Sequence, residues 1–137
     1  MSTILKDYKP SPDEEFMNPR QQEYFRAKLQ AWKSDLQRES AETLEMLQEH
    51  RLNEPDLSDR ASSESDRSIE LRARDRQRKL VSKIDQAIAR IDDGSYGYCE
   101  DTGEPISLDR LEARPIATMS LEAQERHERR EKVYRDD

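Results

Sequence analysis

The sequence contains two long stretches in which apolar residues recur every three or four positions. The first stretch has the members Phe25, Leu29, Trp32, Leu36, Thr43 and Leu47. Between Leu36 and Thr43 the pattern skips one position, which small or polar residues occupy. The second stretch has the members Ile69, Ala73, Leu80, Ile84, Ala87 and Ile91. This spacing places one apolar seam along one face of an α-helix. Two such helices are expected to pair along their seams.

Local signals mark where these helices begin and end. Asn18 followed by Pro19 has the cap and first-turn proline of a helix start, and Gly94 supplies a C-terminal stop. Between the two stretches, Pro55 disfavours helix at the residue before it, and the Asp and Ser residues of segment 53–66 offer caps for a restart. We therefore predict an antiparallel helical hairpin, with arms about 45 to 50 Å long at 1.5 Å per residue.

Composition limits what can surround the hairpin. Only 32% of the residues are hydrophobic and 40% are charged, so the chain can bury only a narrow seam and a small additional core. Beyond the hairpin, apolar residues cluster around two turns: Tyr96, Tyr98, Ile106, Leu108, Leu111, Ile116, Met119 and Leu121. We predict a mainly α protein in four parts: an N-terminal segment packing on the base (1–18), a coiled-coil hairpin (19–94) with its tip at 53–62, a small globular region (95–119) and a C-terminal helix (120–137).

Charge and cysteine content restrict the function classes. The formal net charge of −7 argues against direct DNA binding, because phosphate contacts need a surplus of Lys and Arg. One cysteine permits no internal disulfide, and neither a signal peptide nor a membrane-spanning stretch is visible. We expect a soluble cytoplasmic monomer with a protein partner.

No catalytic set is visible in the sequence. His50 and His127 lie inside charged helical runs, and no serine or cysteine occupies a nucleophile elbow. We therefore expect a protein that is not an enzyme. At the tip, Asp56 and Asp59 have two interpretations: they cap the second helix and keep the turn soluble, or they are the end of a probe that meets basic groups or a metal in a channel.

Four cations lie on one face of the second arm. Arg72, Arg76, Lys79 and Lys83 recur at steps of four, three and four. They form either a solvated stripe or a site for an anion or an acidic partner surface, and the pattern leaves both interpretations open.

The stretch YGYCEDTGEPISLDRLEARPIATMSLEA, residues 96–123, begins like a metal site, but Cys99 is its only cysteine. A tetrahedral structural zinc site needs four ligands, most often thiolate or imidazole.

Four motifs together resemble the DksA family of transcription factors: DLSDRAS at the tip, IELRARDRQRKLVSKI on the second arm, GSYGYCEDTG after it, and RLEARP. The resemblance is close over residues 53–123, and the hairpin layout extends it back to residue 19. It implies a regulator that binds RNA polymerase, inserts its hairpin through the secondary channel and destabilises promoter complexes. The family's tip motif maps onto Asp56, Asp59 and Ala61.

The resemblance also implies guanosine tetraphosphate as a co-regulator in the stringent response, lowering ribosomal RNA transcription and raising some amino-acid promoters. The family's nucleotide positions, at the polymerase interface, map onto Leu80, Lys83 and Arg114, with cations that can pair with phosphate. Gln124 stands where a lysine is usual, which weakens the expected charge attraction.

The family's zinc site maps onto Cys99, Thr102, Ser120 and Ala123, so a degenerate zinc-finger-like turn with no bound metal is expected. Structural zinc contributes on the order of 10 kcal/mol to isolated fingers, and the apolar cluster and the helix caps Ser107 and Ser120 are candidates to offset its loss. We interpret Cys99 as a buried structural residue rather than a redox-responsive thiol, and expect the neighbouring Glu100 and Asp101 to disfavour its thiolate.

Two rival functions are compatible with the same hairpin. An adaptor would use it to assemble with another protein and leave transcription unaffected. A transcript-cleavage factor of the secondary channel would use the tip acids to hold a catalytic magnesium ion.

Overall fold

The computed structural model describes residues 8–53 and 59–136, with side chains described for 8–49 and 64–133. Its four helices are α1 (Pro19–Asn53), α2 (Asp59–Asp93), α3 (Leu108–Ala113) and α4 (Leu121–Asp136). Within the described residues the only β pairing is an isolated bridge between Tyr98 and Pro105. No helix in that part of the chain has the length and apolar character needed to cross a membrane. The predicted mainly α architecture is confirmed.

The predicted outer ends of the long helices, at Asn18 and Gly94, are also confirmed. At the start of α1, the Asn18 side-chain oxygen accepts a hydrogen bond from the Gln21 backbone N–H at 2.9 Å, which is N-cap geometry. At the end of α2, Gly94 has φ +85°, and its N–H donates to the Ile91 carbonyl while the Ser95 N–H donates to the Arg90 carbonyl. These two bonds form a Schellman motif, which requires the left-handed conformation that glycine adopts readily.

The break between the arms is shorter than the sequence suggested. Helix α1 continues to Asn53 and α2 begins at Asp59, inside the tip predicted at 53–62. Pro55 and its neighbours 54–58 lie outside the described residues. Residues 59–66 are mostly polar but include no glycine or proline, so their modest helix propensities permit a helix.

Contacts divide the chain into two compact units: the hairpin unit, Gln30–Asp85, and the base unit, formed by residues up to Leu29 together with those from Gln86 onward. In the hairpin unit the helices run antiparallel. The Lys33 ammonium lies 2.7 Å from the Asp85 carboxylate, and the Gln77 side-chain amide donates to the Leu36 carbonyl at 2.7 Å. The four-part division of the chain given above remains a prediction.

Most of the predicted seam is covered, but three of its members, Thr43, Ile69 and Ala73, are exposed. Phe25, Leu29, Ile84, Ala87 and Ile91 are buried as predicted. Thr43, in contrast, is exposed and the neighbouring Leu44 is covered. Ile69 is 58% exposed, whereas the side chain of the adjacent Glu70 is only 16% exposed. At Thr43 and Ile69 the covered residue is instead the next one along the chain, because the partner helix decides which side chains are covered.

The base unit has the predicted apolar core, except that two predicted members are exposed: Tyr98, at 38%, and Leu121. Tyr96, Ile106 and Leu111 are fully buried, but Leu121 is 53% exposed and Ala123 is buried instead. Ser120 caps α4 by accepting the Ala123 N–H, so Leu121 lies in the first turn of the helix, where its side chain reaches solvent. Ring contacts link the core to the N-terminal side of α1: Phe25 with Tyr96, Tyr24 with Phe25, Tyr8 with Tyr24, and Phe16 with Tyr98.

Candidate functional site

The structure describes little of the predicted tip. Asp56 falls outside the described residues. Asp59 is the first residue of α2 and Ala61 lies in its first turn, and the side chains of both are outside the described set. The roles assigned to these three residues therefore remain predictions.

The four cations of the second arm are exposed side chains of α2. Two of them have neighbours on the same helix: an Arg72 guanidinium nitrogen donates to the Ser68 hydroxyl at 3.0 Å, and the Lys79 ammonium lies 3.1 Å from the Asp75 carboxylate. Hydrogen bonds from Lys79 and Arg78 hold the pKa of Asp75 below its ordinary value. Exposed pairs of this kind are worth little to stability, so the stripe can exchange partners at small cost.

The four predicted nucleotide positions are divided between the two units. Leu80 and Lys83 belong to the hairpin unit, where Leu80 is half-buried and Lys83 is exposed. Arg114 and Gln124 belong to the base unit. Arg114 ends α3 and is exposed, and the Gln124 side-chain amide donates to the Glu128 carboxylate at 3.1 Å. The amide that replaces the family's lysine is thus already hydrogen-bonded to an acid.

Three of the four positions that match the family's zinc site meet at the Cys99 sulfur. The Thr102 hydroxyl and the backbone N–H of Ser120 both donate to that sulfur, and the buried Ala123 lies one helical turn past Ser120. The hydroxyls are otherwise engaged, since the Ser120 oxygen accepts the Ala123 N–H and the Thr102 oxygen accepts the Glu104 N–H. The Cys99 turn and the start of α4 thus form a knuckle around one thiol.

This donor set does not fit zinc. One thiolate, two hydroxyls and a methyl group lack the four nitrogen, sulfur or carboxylate ligands of a structural site. Among the described residues, no group of three or more His, Cys, Asp and Glu side chains is arranged to hold a metal ion. The absence of zinc stays a prediction, but the residues present offer no basis for a zinc site.

The prediction for the Cys99 thiolate was wrong. Burial acts to raise the pKa of this thiol, but hydrogen bonds from the Thr102 hydroxyl and from the backbone N–H groups of Ser120, Thr102 and Asp101 lower the pKa to about 7. Glu100 and Asp101 were expected to disfavour the thiolate, yet their side chains are exposed to water, which screens them. The expectation that Cys99 is buried is confirmed.

A polar cluster in the base unit was not predicted from the sequence. The Tyr24 hydroxyl donates to both carboxylate oxygens of Glu112 at 2.6 and 2.8 Å, and the Lys28 ammonium lies 2.7 Å from the same carboxylate. Burial and the Glu112 carboxylate raise the pKa of Tyr24 to about 12. Burial opposes ionisation of Glu112, but the hydrogen bonds from Lys28 and Tyr24 dominate and lower its pKa. The cluster joins α1 to α3.

Two family models match the chain. The model described as "DnaK suppressor protein DksA, N-terminal domain" matches residues 21–91. The model described as "Prokaryotic dksA/traR C4-type zinc finger" matches residues 94–129. The second match covers the knuckle around Cys99, where the chain has a single cysteine rather than four.

Similar proteins extend along almost the whole chain. A protein of Caulobacter vibrioides named "RNA polymerase-binding transcription factor DksA" is 70% identical, with 99% of this chain and 98% of the relative covered. The protein of that name from Escherichia coli K12 is 41% identical, with 93% and 85% covered. Among solved structures, transcription factor DksA2 from Pseudomonas aeruginosa matches with a TM-score of 0.79 at 39% identity, covering 96% of this chain and 98% of that one.

The helices, the tip and arm motifs and these matches agree with one another. A family model that spans more than half of the chain, and relatives that cover nearly all of it at 70% and 41% identity, establish that this chain belongs to the DksA family.

Proposed function

We propose that this protein binds bacterial RNA polymerase and regulates transcription in the cytoplasm, without enzymatic activity of its own. The observation that carries the proposal is the 70% identity, over essentially the full length of both chains, to a relative named as an RNA polymerase-binding transcription factor.

The hairpin is the element proposed to enter the polymerase secondary channel. This role is supported by the length of its two paired helices, which have 35 residues each and are therefore about 50 Å long at 1.5 Å per residue. A hairpin of that length can carry its connection deep into a channel. Asp56, Asp59 and Ala61, in or beside that connection, are the proposed contacts near the active centre, where they destabilise promoter complexes.

Guanosine tetraphosphate is the proposed co-regulator in the stringent response, with lower ribosomal RNA transcription and higher output of some amino-acid promoters. Leu80, Lys83 and Arg114 are its proposed contacts, supported by the exposure of both cations. Gln124 offers an amide in place of a cation, and that amide is shared with Glu128. We therefore propose that the response to the nucleotide is weaker than in relatives with a lysine at this position.

The base is proposed to work without zinc, in a monomer that does not bind DNA directly. The first support is that the residues around Cys99 do not form a set of zinc ligands. The second is a set of hydrogen bonds proposed to stabilise the base in place of a metal: those from backbone N–H groups to the Cys99 sulfur, the helix caps at Ser107 and Ser120, and the Tyr24–Glu112 cluster. Activity should then persist under zinc limitation.

The proposal is tested by in vitro transcription from a ribosomal RNA promoter with purified polymerase, with and without guanosine tetraphosphate and a strong zinc chelator. Wild-type protein should inhibit transcription whether or not the chelator is present. Asp59→Asn should abolish inhibition while polymerase binding, measured separately, is retained. Glu64→Gln is the matched control, because Glu64 is an exposed acid on the same helix and should tolerate the change.

Three other outcomes separate the rivals. No effect of wild-type protein on transcription, with polymerase binding absent, supports the adaptor. Loss of activity in chelator overturns the zinc-free base. Cleavage of the transcript in a backtracked complex, dependent on magnesium and on Asp59, supports the cleavage factor.

For the nucleotide, Lys83→Ala and Arg114→Ala should each remove the additional inhibition that guanosine tetraphosphate produces. Gln124→Lys should increase it. Unchanged responses in all three variants contradict the assigned positions without affecting the proposal of polymerase binding.

A further inference from the structure

A groove of about 340 Å³ lies in the base unit, between the segment that precedes α1 and the segment that leads into α3. Pro10, Pro12 and Phe16 of the first segment line it together with Pro105 and Leu108 of the second. These side chains offer no hydrogen bonds, and proline has no backbone N–H, so the walls attract a ligand mainly by apolar contact. The volume is at the small end of the range for binding pockets, about 300 to 1,000 Å³, and suits a few side chains.

An exposed aromatic ring borders the groove. The Phe16 and Tyr98 rings meet edge to face, with centroids 5.4 Å apart, and Tyr98 pairs with Pro105 through the isolated β bridge. Tyr98 is 38% exposed. The faces of aromatic rings attract cations, and the base unit already contains one such contact, because the Arg20 guanidinium lies 4.1 Å from the centre of the Tyr8 ring. The Tyr98 ring offers the same kind of contact to a cation from outside.

The groove walls are held in one shape by the base itself. The fully buried Gln21 side chain accepts the Met17 N–H at 2.8 Å and donates to the Ser11 carbonyl at 3.5 Å. The Phe16 ring packs so closely on Gly97 that a Cβ atom there would lie 3.1 Å from it. Preformed walls of this kind lose little conformational entropy when a ligand binds.

The charge around the groove is negative. Segments 10–16 and 104–109 together have five acidic residues and no Lys or Arg. Glu14 and Asp109 line the groove. A hydrogen bond from the Tyr8 hydroxyl holds the pKa of Glu14 below its ordinary value, so its carboxylate is charged at neutral pH. A positively charged ligand is therefore favoured over a neutral or anionic one.

The cations that flank these two segments are directed elsewhere. The Arg110 guanidinium donates to the Met119 carbonyl at 2.8 Å. Lys9 lies close enough to Glu112 to lower the pKa of that carboxyl. The negative charge of the groove is thus left for a partner to neutralise.

We propose that this groove binds an extended segment of a partner protein in which Lys or Arg residues flank an aromatic or aliphatic side chain. Neighbouring side chains of an extended chain point in opposite directions, so the apolar one can enter the groove while its neighbours turn toward the rim. There the cations meet the carboxylates and the face of the Tyr98 ring. The proposal concerns the base unit alone and does not depend on the proposed function.

Fluorescence anisotropy tests the proposal with the full-length protein and a labelled octapeptide in which arginines flank one phenylalanine. Replacing the phenylalanine by alanine should weaken binding at least about fivefold, as the loss of an anchoring side chain does. Replacing the arginines by glutamates should abolish binding, and added salt should weaken it. A peptide that binds equally well with alanine in place of phenylalanine overturns the proposal.

The net charge of −7 attracts any basic peptide, so paired variants locate the site. Asp13→Lys with Asp109→Lys, two exposed acids of the groove segments, should raise the Kd at least about fivefold. Glu42→Lys with Glu45→Lys is the matched control, because these exposed acids of α1 change the net charge equally and should alter the Kd less than about twofold. Equal losses in the two double variants indicate general adsorption and overturn the proposal.

Cross-linking shows where the peptide lies without altering the protein. With photoreactive benzoylphenylalanine in place of the phenylalanine, mass spectrometry should find the cross-links in segments 10–16 and 105–109. Cross-links confined to the acidic segment 39–49 overturn the proposal. So does self-association in sedimentation that Asp13→Lys with Asp109→Lys removes, since the occupant is then a second copy of this chain. Peptide binding that appears only after residues 1–7 are deleted assigns the groove to the chain's own N-terminus and overturns the proposal as well.

Discussion

Gly97 is the position where a single methyl group should reveal how the N-terminal segment stabilises the base unit. Its φ is +90°, and a Cβ atom built there would lie 3.1 Å from the Phe16 ring and 3.2 Å from the Met17 side chain. Positive φ costs a residue with a side chain about 1 to 2 kcal/mol, and overpacking typically adds about 1 to 3 kcal/mol. Gly97→Ala should therefore destabilise the base unit by about 2 to 5 kcal/mol.

Gly103→Ala is the matched control. Gly103 has φ +76°, but a Cβ there would meet no atom within 4 Å, so only the conformational cost of about 1 to 2 kcal/mol applies. The difference between the two variants isolates the close approach of Phe16 and Met17, and should be about 1 to 3 kcal/mol.

The assay is urea unfolding followed by the near-ultraviolet circular dichroism of tyrosine, since Tyr24, Tyr96 and Tyr98 belong to the base unit. A lower midpoint at unchanged slope reports a loss of stability. If Gly97→Ala lowers the midpoint no more than Gly103→Ala does, the N-terminal segment does not pack on this glycine in solution and the reasoning is refuted.

The base unit supports three further tests. A triple variant with Thr102→Cys, Ser120→Cys and Ala123→Cys should bind zinc, and a chelator should then lower its melting temperature. No metal uptake beyond that of the wild type would contradict the knuckle arrangement. The ultraviolet absorbance of the Cys99 thiolate should titrate with a midpoint near pH 7, and Thr102→Val should raise that midpoint. Because this folded-state pKa lies below the ordinary 9.0, the stabilisation from the thiolate is complete above pH 9.0 and is lost as pH falls through about 7, which pH-dependent melting checks. Tyr24→Phe and Glu112→Gln should each cost about 1 to 3 kcal/mol, and the double variant less than their sum, because the two side chains share one set of hydrogen bonds; strict additivity in urea unfolding would show that they are not coupled.

Local chemistry in the sequence determined the helices and their outer ends. The cap at Asn18, the stop at Gly94 and the three-and-four spacing of apolar residues each depend on neighbours within a few positions, and each is observed. The motifs that carry the family resemblance are contiguous stretches of the same kind. The sequence also shows that the positions matching the family's zinc site lack four zinc ligands, because the ability to bind zinc is a property of the residue type.

Tertiary structure alone decided which side chains are covered and which polar groups meet. Periodicity indicates a face but not its phase, so the covered residue became Leu44 rather than Thr43 and Glu70 rather than Ile69 once the partner helix was in place. Tyr24 and Glu112 are separated by 88 residues, and no local pattern connects them. The pKa of Cys99 depends on backbone N–H groups that only the folded turns direct at its sulfur, whereas the sequence displays only the neighbouring carboxylates.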